Sequence, residues 1–199
     1  MFMAALLDVL APPRCAGCDR PGRVLCETCV EAIDATPTPL ISGARAAFPF
    51  SSEVRRVLHC GKFRDCRSAL RALAWMGAAR LQAPPGSLVT AVPLSRRRAA
   101  ERGYNQAQVV AQALADFHRL RDAALLTRSR HTQPQSALDR SARRANVAGA
   151  FTASSASLGA TVWLVDDVLT TGATVAAARQ ALLGAGAARV EVAALAAVL

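Results

Sequence analysis

The sequence predicts an α/β protein, a mostly parallel sheet flanked by helices, with a small N-terminal module built on four cysteines. Three stretches predict it. Thr161 to Thr174 reads Thr-Val-Trp-Leu-Val-Asp-Asp-Val-Leu-Thr-Thr-Gly-Ala-Thr: an apolar, β-branched run ends in two carboxylates and passes through a hydroxyl-rich turn into an alanine-rich helical pattern. Ser87 to Leu94 is a second strand signal, turning at Pro93 and Ser95 into arginines and another helix. Two Cys-x-x-Cys pairs lie between Cys15 and Cys29.

At 199 residues and 20.8 kDa the chain holds one sizeable domain and a small appendage. A hydrophobic fraction of 52% excludes general disorder, and with aromatics at 5% the core must be built from small aliphatic side chains. The formal charge of +10 favours polyanionic partners such as nucleic acid or pyrophosphate without choosing between them. Nearly all of the positive charge is Arg, Lys62 being the exception.

Met1 to Leu10 is apolar but short, with no basic residue ahead of it, which argues against a signal peptide. It reads as a short helix packing Phe2, Leu6, Leu7 and Leu10 inward. No window approaches ~18 uninterrupted apolar residues, so no membrane span is expected and the protein is expected in the cytoplasm.

Cys15, Cys18, Cys26 and Cys29 place two sulfurs on each of two tight turns, with Gly17 and Gly22 beside them. Four thiolates around one ion form the closed, structural kind of zinc site, with no position left for catalysis. Two disulfides, or a redox pair, are the competing readings. Ala35 to Pro49, rich in Pro, Thr and Ser, reads as a connector, giving residues 1–45 to helix, zinc module and connector and residues 46–199 to the main domain.

A helical pattern follows through Val54, Val57 and Leu58, then Leu70, Leu73 and Trp75, interrupted by a turn around Gly61. Cys60 and Cys66 read as partly buried thiols, and His59 as a structural rather than metal-binding histidine. After Ser87 to Leu94 come Arg96, Arg97 and Arg98, then Arg102-Gly103-Tyr104-Asn105-Gln106. A strand end feeding arginines is an anion site or a solvated basic face, and Asn105 or Gln106 is placed to cap the helix through Val109, Val110 and Leu114 to Phe117. Leu125 to Arg130 is a further strand signal. The long polar, cationic stretch from Arg130 to Phe151, with His131, Arg140, Arg143 and Arg144, has the composition of a lid. Val175 to Leu183 is a helix closed by Gly184 and Gly186, and Val190 to Leu199 a buried final strand.

The chemistry concentrates at Asp166 to Thr174. Thr170, Thr171, Gly172, Ala173 and Thr174 offer amides at a helix start, hydroxyl donors, and a glycine where the backbone approaches closely, all suited to a phosphate. Asp166 and Asp167 suit sugar hydroxyls or a magnesium ion. The chain has no Gly-x-Gly-x-x-Gly here and no P-loop. A plain strand-to-helix connection with capping Asp and Thr is the bland reading, and five matched features in nine residues weigh against it.

This stretch resembles the ribose-phosphate signature of type I phosphoribosyltransferases. The series of four cysteines, Val-Pro-Leu-Ser with Arg-Gly-Tyr-Asn-Gln-Ala, Gln135 with Leu138, Arg143-Arg144-x-Asn146-Val147, Gly149-Ala150-Phe151 and Asp166 to Thr174 resembles the ComF family over essentially the whole chain. Those are phosphoribosyltransferase-like proteins linked to natural competence and DNA use. One departure is local: Cys60 and Gly61 precede Lys62 where bulkier residues are common.

The resemblance implies a type I phosphoribosyltransferase-like domain after a zinc-binding module. It implies phosphoribosyl pyrophosphate bound with magnesium, the acidic pair on the ribose, Thr170 to Thr174 on the 5′-phosphate, and Ser95, Arg96 and Arg102 near the pyrophosphate. In enzymes of this fold a nitrogen nucleophile attacks C1′ of an oxocarbenium-like ribose. Turnover and acceptor are not implied. The alternative is a single-stranded DNA-binding adaptor on a catalytically silent fold, with a competence helicase as partner.

Overall fold

The computed structural model describes residues 12–41, 43–63, 66–128 and 149–199. The N-terminal helix expected at Phe2 to Leu10, and the lid with His131, Gln135, Leu138, Arg140, Arg143, Arg144 and Asn146, lie outside the described residues. In chain order the elements are α1 (Glu27–Asp34), β1 (Leu40–Ile41), β2 (Ala44–Pro49), α2 (Ser52–Phe63), α3 (Arg67–Arg80), β3 (Leu88–Ala91), α4 (Arg96–Arg102), α5 (Gln106–His118), β4 (Arg121–Asp122), β5 (Leu126–Arg128), β6 (Phe151–Ala153), β7 (Thr161–Leu169), α6 (Ala173–Gly184) and β8 (Arg189–Ala197).

Six strands form one sheet in the order β1-β2-β8-β7-β3-β4. Only the β1–β2 pair is antiparallel, so five neighbouring strands run parallel. β5 and β6 make a separate antiparallel ribbon. A parallel sheet must be covered on both faces, and the side chains of β7 divide accordingly. Trp163 and Val165 pack with Val110 and Leu114 of α5, while Val162 and Leu164 pack with Val175, Ala178 and Leu182 of α6. All four β7 side chains are 0% exposed. Truncating Leu164 to Ala here is expected to cost about 2–5 kcal/mol, transfer plus cavity.

The strand order positions the site. From β3 the chain crosses through α5 outward to β4, whereas from β7 it crosses through α6 the other way to β8. Because such crossovers are right-handed, opposite directions put the two helices on opposite faces. The connections diverge between β3 and β7, which opens a crevice at their carboxyl ends. Register deepens it: Ala91, the last residue of β3, pairs with Val165, whereas β7 continues beside β8 as far as Leu169, opposite Ala197. Asp166 is thus the first residue of β7 beyond the end of the β3 ladder.

Three expectations need correction. Ala44–Pro49, expected as connector, is a parallel strand beside β8, with Ala46, Ala47 and Phe48 fully buried; its three alanines and one proline hid the strand signal. The helix expected to break around Gly61 runs through it to Phe63. Cys60 and Cys66, read as thiols, are joined by a disulfide, their Cα atoms standing 5.5 Å apart near the end of α2 and before the start of α3.

Trp75, placed with Leu70 and Leu73 in one apolar pattern, lies on the outer side of α3, 39% exposed. Its partner is Phe117 at a ring separation of 5.7 Å. Leu70, Leu73 and Gly77 keep the i, i+3, i+7 spacing of one face, and position 75 falls opposite.

The cysteine module packs against the same core as α2, α3 and α5 through Cys15, Leu25, Cys29 and Ile33. Two arginines pin it: Arg56 donates to the Gly17 carbonyl, and Arg80 donates to the Thr36 carbonyl at 2.8 Å and pairs with Asp34 at 3.0 Å. No helix among the described residues is long and apolar enough to cross a membrane.

Candidate functional site

A cavity of about 260 Å³ lies where β3 and β7 end. β7 contributes Asp166 and Asp167, both half-buried. Each carboxylate is held by a neighbouring amide: Asp166 Oδ1 accepts from Asp167 N–H at 2.9 Å, and Asp167 Oδ1 from Val168 N–H at 2.9 Å. Thr170, Thr171, Gly172, Ala173 and Thr174 line the next stretch of wall. Gly172 sits at φ 72° and ψ −2°, the left-handed conformation glycine adopts without strain, and is the first cap of α6. As the N-cap residue, Gly172 brings no side chain to that start. The first amides of a 12-residue helix therefore open onto the cavity wall, an arrangement that suits an anion.

The opposite wall comes from the segment after β3. Ser95 caps α4 by accepting from Arg98 N–H at 3.4 Å, and Arg96, the first residue of α4, is exposed; neither is among the residues lining the cavity. Arg98 and Arg102 are. The Arg-Gly-Tyr-Asn-Gln motif resolves into a bracing network. Asn105 caps α5 by accepting from Ala107 N–H at 3.2 Å and donates Nδ2 to the Val92 carbonyl at 2.9 Å, which ties the helix start to the end of β3. Gln106, 1% exposed, accepts from Arg102 Nη1 at 3.1 Å and donates to the Gly61 carbonyl at 3.3 Å. Tyr104 donates to the same carbonyl. Arg102 is thereby oriented by a buried amide whose other end is fixed on α2.

Sequence reading missed two parts of the wall. Phe50 and Val198, at the ends of β2 and β8, make an apolar side. Arg128, at the end of β5, supplies a third guanidinium. Burial, followed by the like charge of Arg98, lowers the pKa of Arg128, and the Asp166 carboxylate opposes that shift. No signal local to Leu-Thr-Arg marks this arginine, because only the docking of the ribbon brings it to the cavity.

The second site is the cysteine cluster. The sulfurs of Cys15, Cys18, Cys26 and Cys29 all lie within 4.8 Å of one another, the only such metal-compatible group among the described residues. A tetrahedron with metal–sulfur bonds of ~2.3 Å has sulfur–sulfur edges of ~3.8 Å, and Cys18 Sγ and Cys26 Sγ are 3.6 Å apart. The cluster therefore fits a zinc site. Gly17 is required by close approach: a Cβ there would stand 2.7 Å from Cys29 Sγ.

The sulfurs differ in acidity. Burial works against ionising Cys15, but hydrogen bonds from the Cys26, Cys18 and Gly17 backbone outweigh it and lower its pKa to about 6. Burial, then the neighbouring sulfurs, pushes the Cys29 thiol up. Four thiolates so close need a cation to coexist.

With this geometry in hand, a family model described as a phosphoribosyl transferase domain matches residues 86–199. The chain is 41% identical over 105 residues to "DNA utilization protein YhgH" of Escherichia coli O157:H7 and 40% identical over 105 residues to the protein of that name in Salmonella typhi. Each match covers 52% of this chain and 46% of the relative, so the chain spans about half the length of the curated relatives it matches. Among solved structures, the glutamine phosphoribosylpyrophosphate amidotransferase from B. subtilis is similar with a TM-score of 0.44 and 24% identity, over 65% of this chain and 26% of that one. The family model and the curated relatives agree with the type I phosphoribosyltransferase-like fold and the ComF resemblance read from the motifs.

Proposed function

We propose, from the premise that the chain belongs to the phosphoribosyl transferase domain family, that the crevice between β3 and β7 binds phosphoribosyl pyrophosphate together with magnesium. The 5′-phosphate lies at Thr170 to Thr174 on the start of α6. Asp166 and Asp167 take the ribose hydroxyls and would hold the metal, whose charge offsets that of the pyrophosphate. Arg102, joined by Arg98, serves the pyrophosphate, while Ser95 caps the helix that carries them and Arg96, expected there from the sequence, stands outside the cavity lining. One observation carries the reading: an acidic pair and a helix start with a glycine N-cap line one cavity with guanidinium groups on its far wall. Such a wall suits a sugar carrying phosphates at both ends better than it suits a simple anion. The four cysteines hold a structural zinc ion that organises the module.

Calorimetric titration with phosphoribosyl pyrophosphate in the presence of magnesium tests the reading, and a wild-type protein that shows no binding would refute it. Turnover is a separate proposal, with pyrophosphate release across a panel of bases and amines as its measure. Silence there would leave a binding protein.

A second reading concerns DNA use, supported by the name of the relatives and by a charge of +10. In that reading the chain is a single-stranded DNA-binding adaptor working with a competence helicase, and the arginines expected on the DNA phosphates are Arg96 to Arg98, Arg102, Arg140, Arg143 and Arg144, of which Arg96 and Arg97 are exposed on α4. Labelled single-stranded DNA titrated with and without phosphoribosyl pyrophosphate separates the two: displacement means shared or coupled sites, and unaffected binding means separate ones.

A further inference from the structure

A second cavity, of about 820 Å³, lies between the cysteine module and α2. Sulfur in two oxidation states meets there: Cys15 and Cys18 of the metal-compatible cluster, and the Cys60–Cys66 disulfide. Both cysteines of the disulfide are half-buried and line this space rather than the sealed core. A four-thiolate metal site fills only where its thiols stay reduced, and under those conditions a disulfide within reach of solutes exchanges with free thiol.

The disulfide clasps two segments that hold the same phenol. Next to Cys60, the Gly61 carbonyl accepts from Tyr104 and from Gln106 Nε2 at 3.3 Å. Next to Cys66, Arg67 places its guanidinium over the Tyr104 ring, 4.3 Å from the centroid. The acceptor of the tyrosine hydroxyl and the cation on its ring face are thus tied to each other through one S–S bond. Gln106 in turn accepts from Arg102 Nη1 at 3.1 Å, so a run of contacts that starts at the disulfide ends at a residue lining the crevice.

We propose that Cys60–Cys66 is a reversible thiol–disulfide site, open to low-molecular-weight thiols through the second cavity, and that its reduction releases the brace on Tyr104 and Gln106. In the reaction a thiolate attacks one sulfur, forms a mixed disulfide and expels the other cysteine as a thiolate; a second thiol then resolves the mixed disulfide. Two thiols are oxidised to one external disulfide, and their two electrons and two protons end on Cys60 and Cys66. Attack on Cys60 is the favoured direction, because it expels Cys66, the N-cap of the 14-residue α3, where the helix start stabilises a thiolate. The consequence for the crevice rests on its reading as a phosphoribosyl pyrophosphate site.

Tyr104 is the only tyrosine of the chain, so an isotope label on tyrosine reports on the clasp alone. The test takes the full, zinc-loaded chain through glutathione buffers from oxidised to reduced. Alkylation with peptide mass mapping is expected to find Cys60 and Cys66 blocked in the oxidised buffer and modified in the reduced one, with zinc retained. The tyrosine NMR signal should shift with the same midpoint and return on reoxidation, and the double variant Cys60→Ser with Cys66→Ser should show the reduced signal in every buffer. Phosphoribosyl pyrophosphate should bind about 2- to 10-fold more weakly in the reduced state, the span of one neutral hydrogen bond. A wild-type pair alkylated only after unfolding, or a tyrosine signal that ignores the redox state, overturns the proposal. Equal affinity in the two states overturns the link to the crevice. A protein that binds in neither state overturns the proposed function alone, and the alkylation and tyrosine readouts still decide the redox site.

Discussion

Replacing Gly172 by Ala isolates the backbone of the phosphate turn. A Cβ at this position would meet nothing nearer than Val175 Cγ2 at 4.0 Å, so steric overlap contributes nothing. The whole cost is torsional: φ of 72° is left-handed, which an L-residue pays for at about 1–2 kcal/mol. For a chain of this length that loss corresponds to a fall in melting temperature of about 2–8 °C, if the turn keeps its shape. If the turn relaxes instead, stability is recovered and the start of α6 swings away from the phosphate, so the loss reappears in affinity. Melting curves and titrations with phosphoribosyl pyrophosphate, run on the same preparations, capture both terms. Gly172→Asn supplies the control, because Asn visits the left-handed region far more readily than Ala and should recover a good part of the loss. An Ala variant that melts and binds like wild type, or an Asn variant as impaired as Ala, would refute the torsional argument.

Asp166→Asn with Asp167→Asn should weaken phosphoribosyl pyrophosphate binding by about 1.5–3 kcal/mol for each charged hydrogen bond lost, read by calorimetry; unchanged affinity would remove both carboxylates from the site. A strong chelator, or Cys26→Ser, should release one equivalent of zinc and abolish hydrogen-exchange protection from Pro13 to Ile33 while β7 and β8 stay protected. A folded, metal-free protein with four oxidised cysteines would reverse the zinc assignment. Gly17→Ala should lower zinc affinity without touching a ligand, because its Cβ would stand 2.7 Å from Cys29 Sγ. If Arg96 and Arg97 contact single-stranded DNA, the logarithm of affinity should fall linearly with that of salt, and each Arg→Ala change should flatten the slope by about 0.7; a salt-independent affinity would exclude phosphate contacts.

Much of the crevice was legible in the sequence because its chemistry is local. Asp166 to Thr174 is a continuous strand, turn and helix start, and a hydroxyl-rich turn with one glycine before an alanine-rich run is readable without tertiary information; the left-handed φ of that glycine came only with the structure. The four cysteines were legible for the same reason, since each Cys-x-x-Cys turn brings its own two sulfurs together. Asn105 as a helix cap was also readable from its place before an apolar 3.6-residue pattern.

What escaped the sequence depends on contacts between distant segments. β2 is poor in β-branched residues, and its place in the sheet follows from pairing with β8, about 150 residues later. Cys60 and Cys66 become a disulfide because the fold sets their Cα atoms 5.5 Å apart, a distance that six intervening peptide units do not dictate. The choice of Arg98 and Arg102 as lining residues, with Arg96 turned to solvent, follows from the rotation of α4 after its Ser95 cap. Arg128 reaches the cavity because its ribbon docks through Phe151 on α6. A sequence carries periodicity and turn chemistry, which act over a few residues. The partner of an edge, a sulfur or a guanidinium is decided by burial that pays only when the whole sheet has closed over both of its faces.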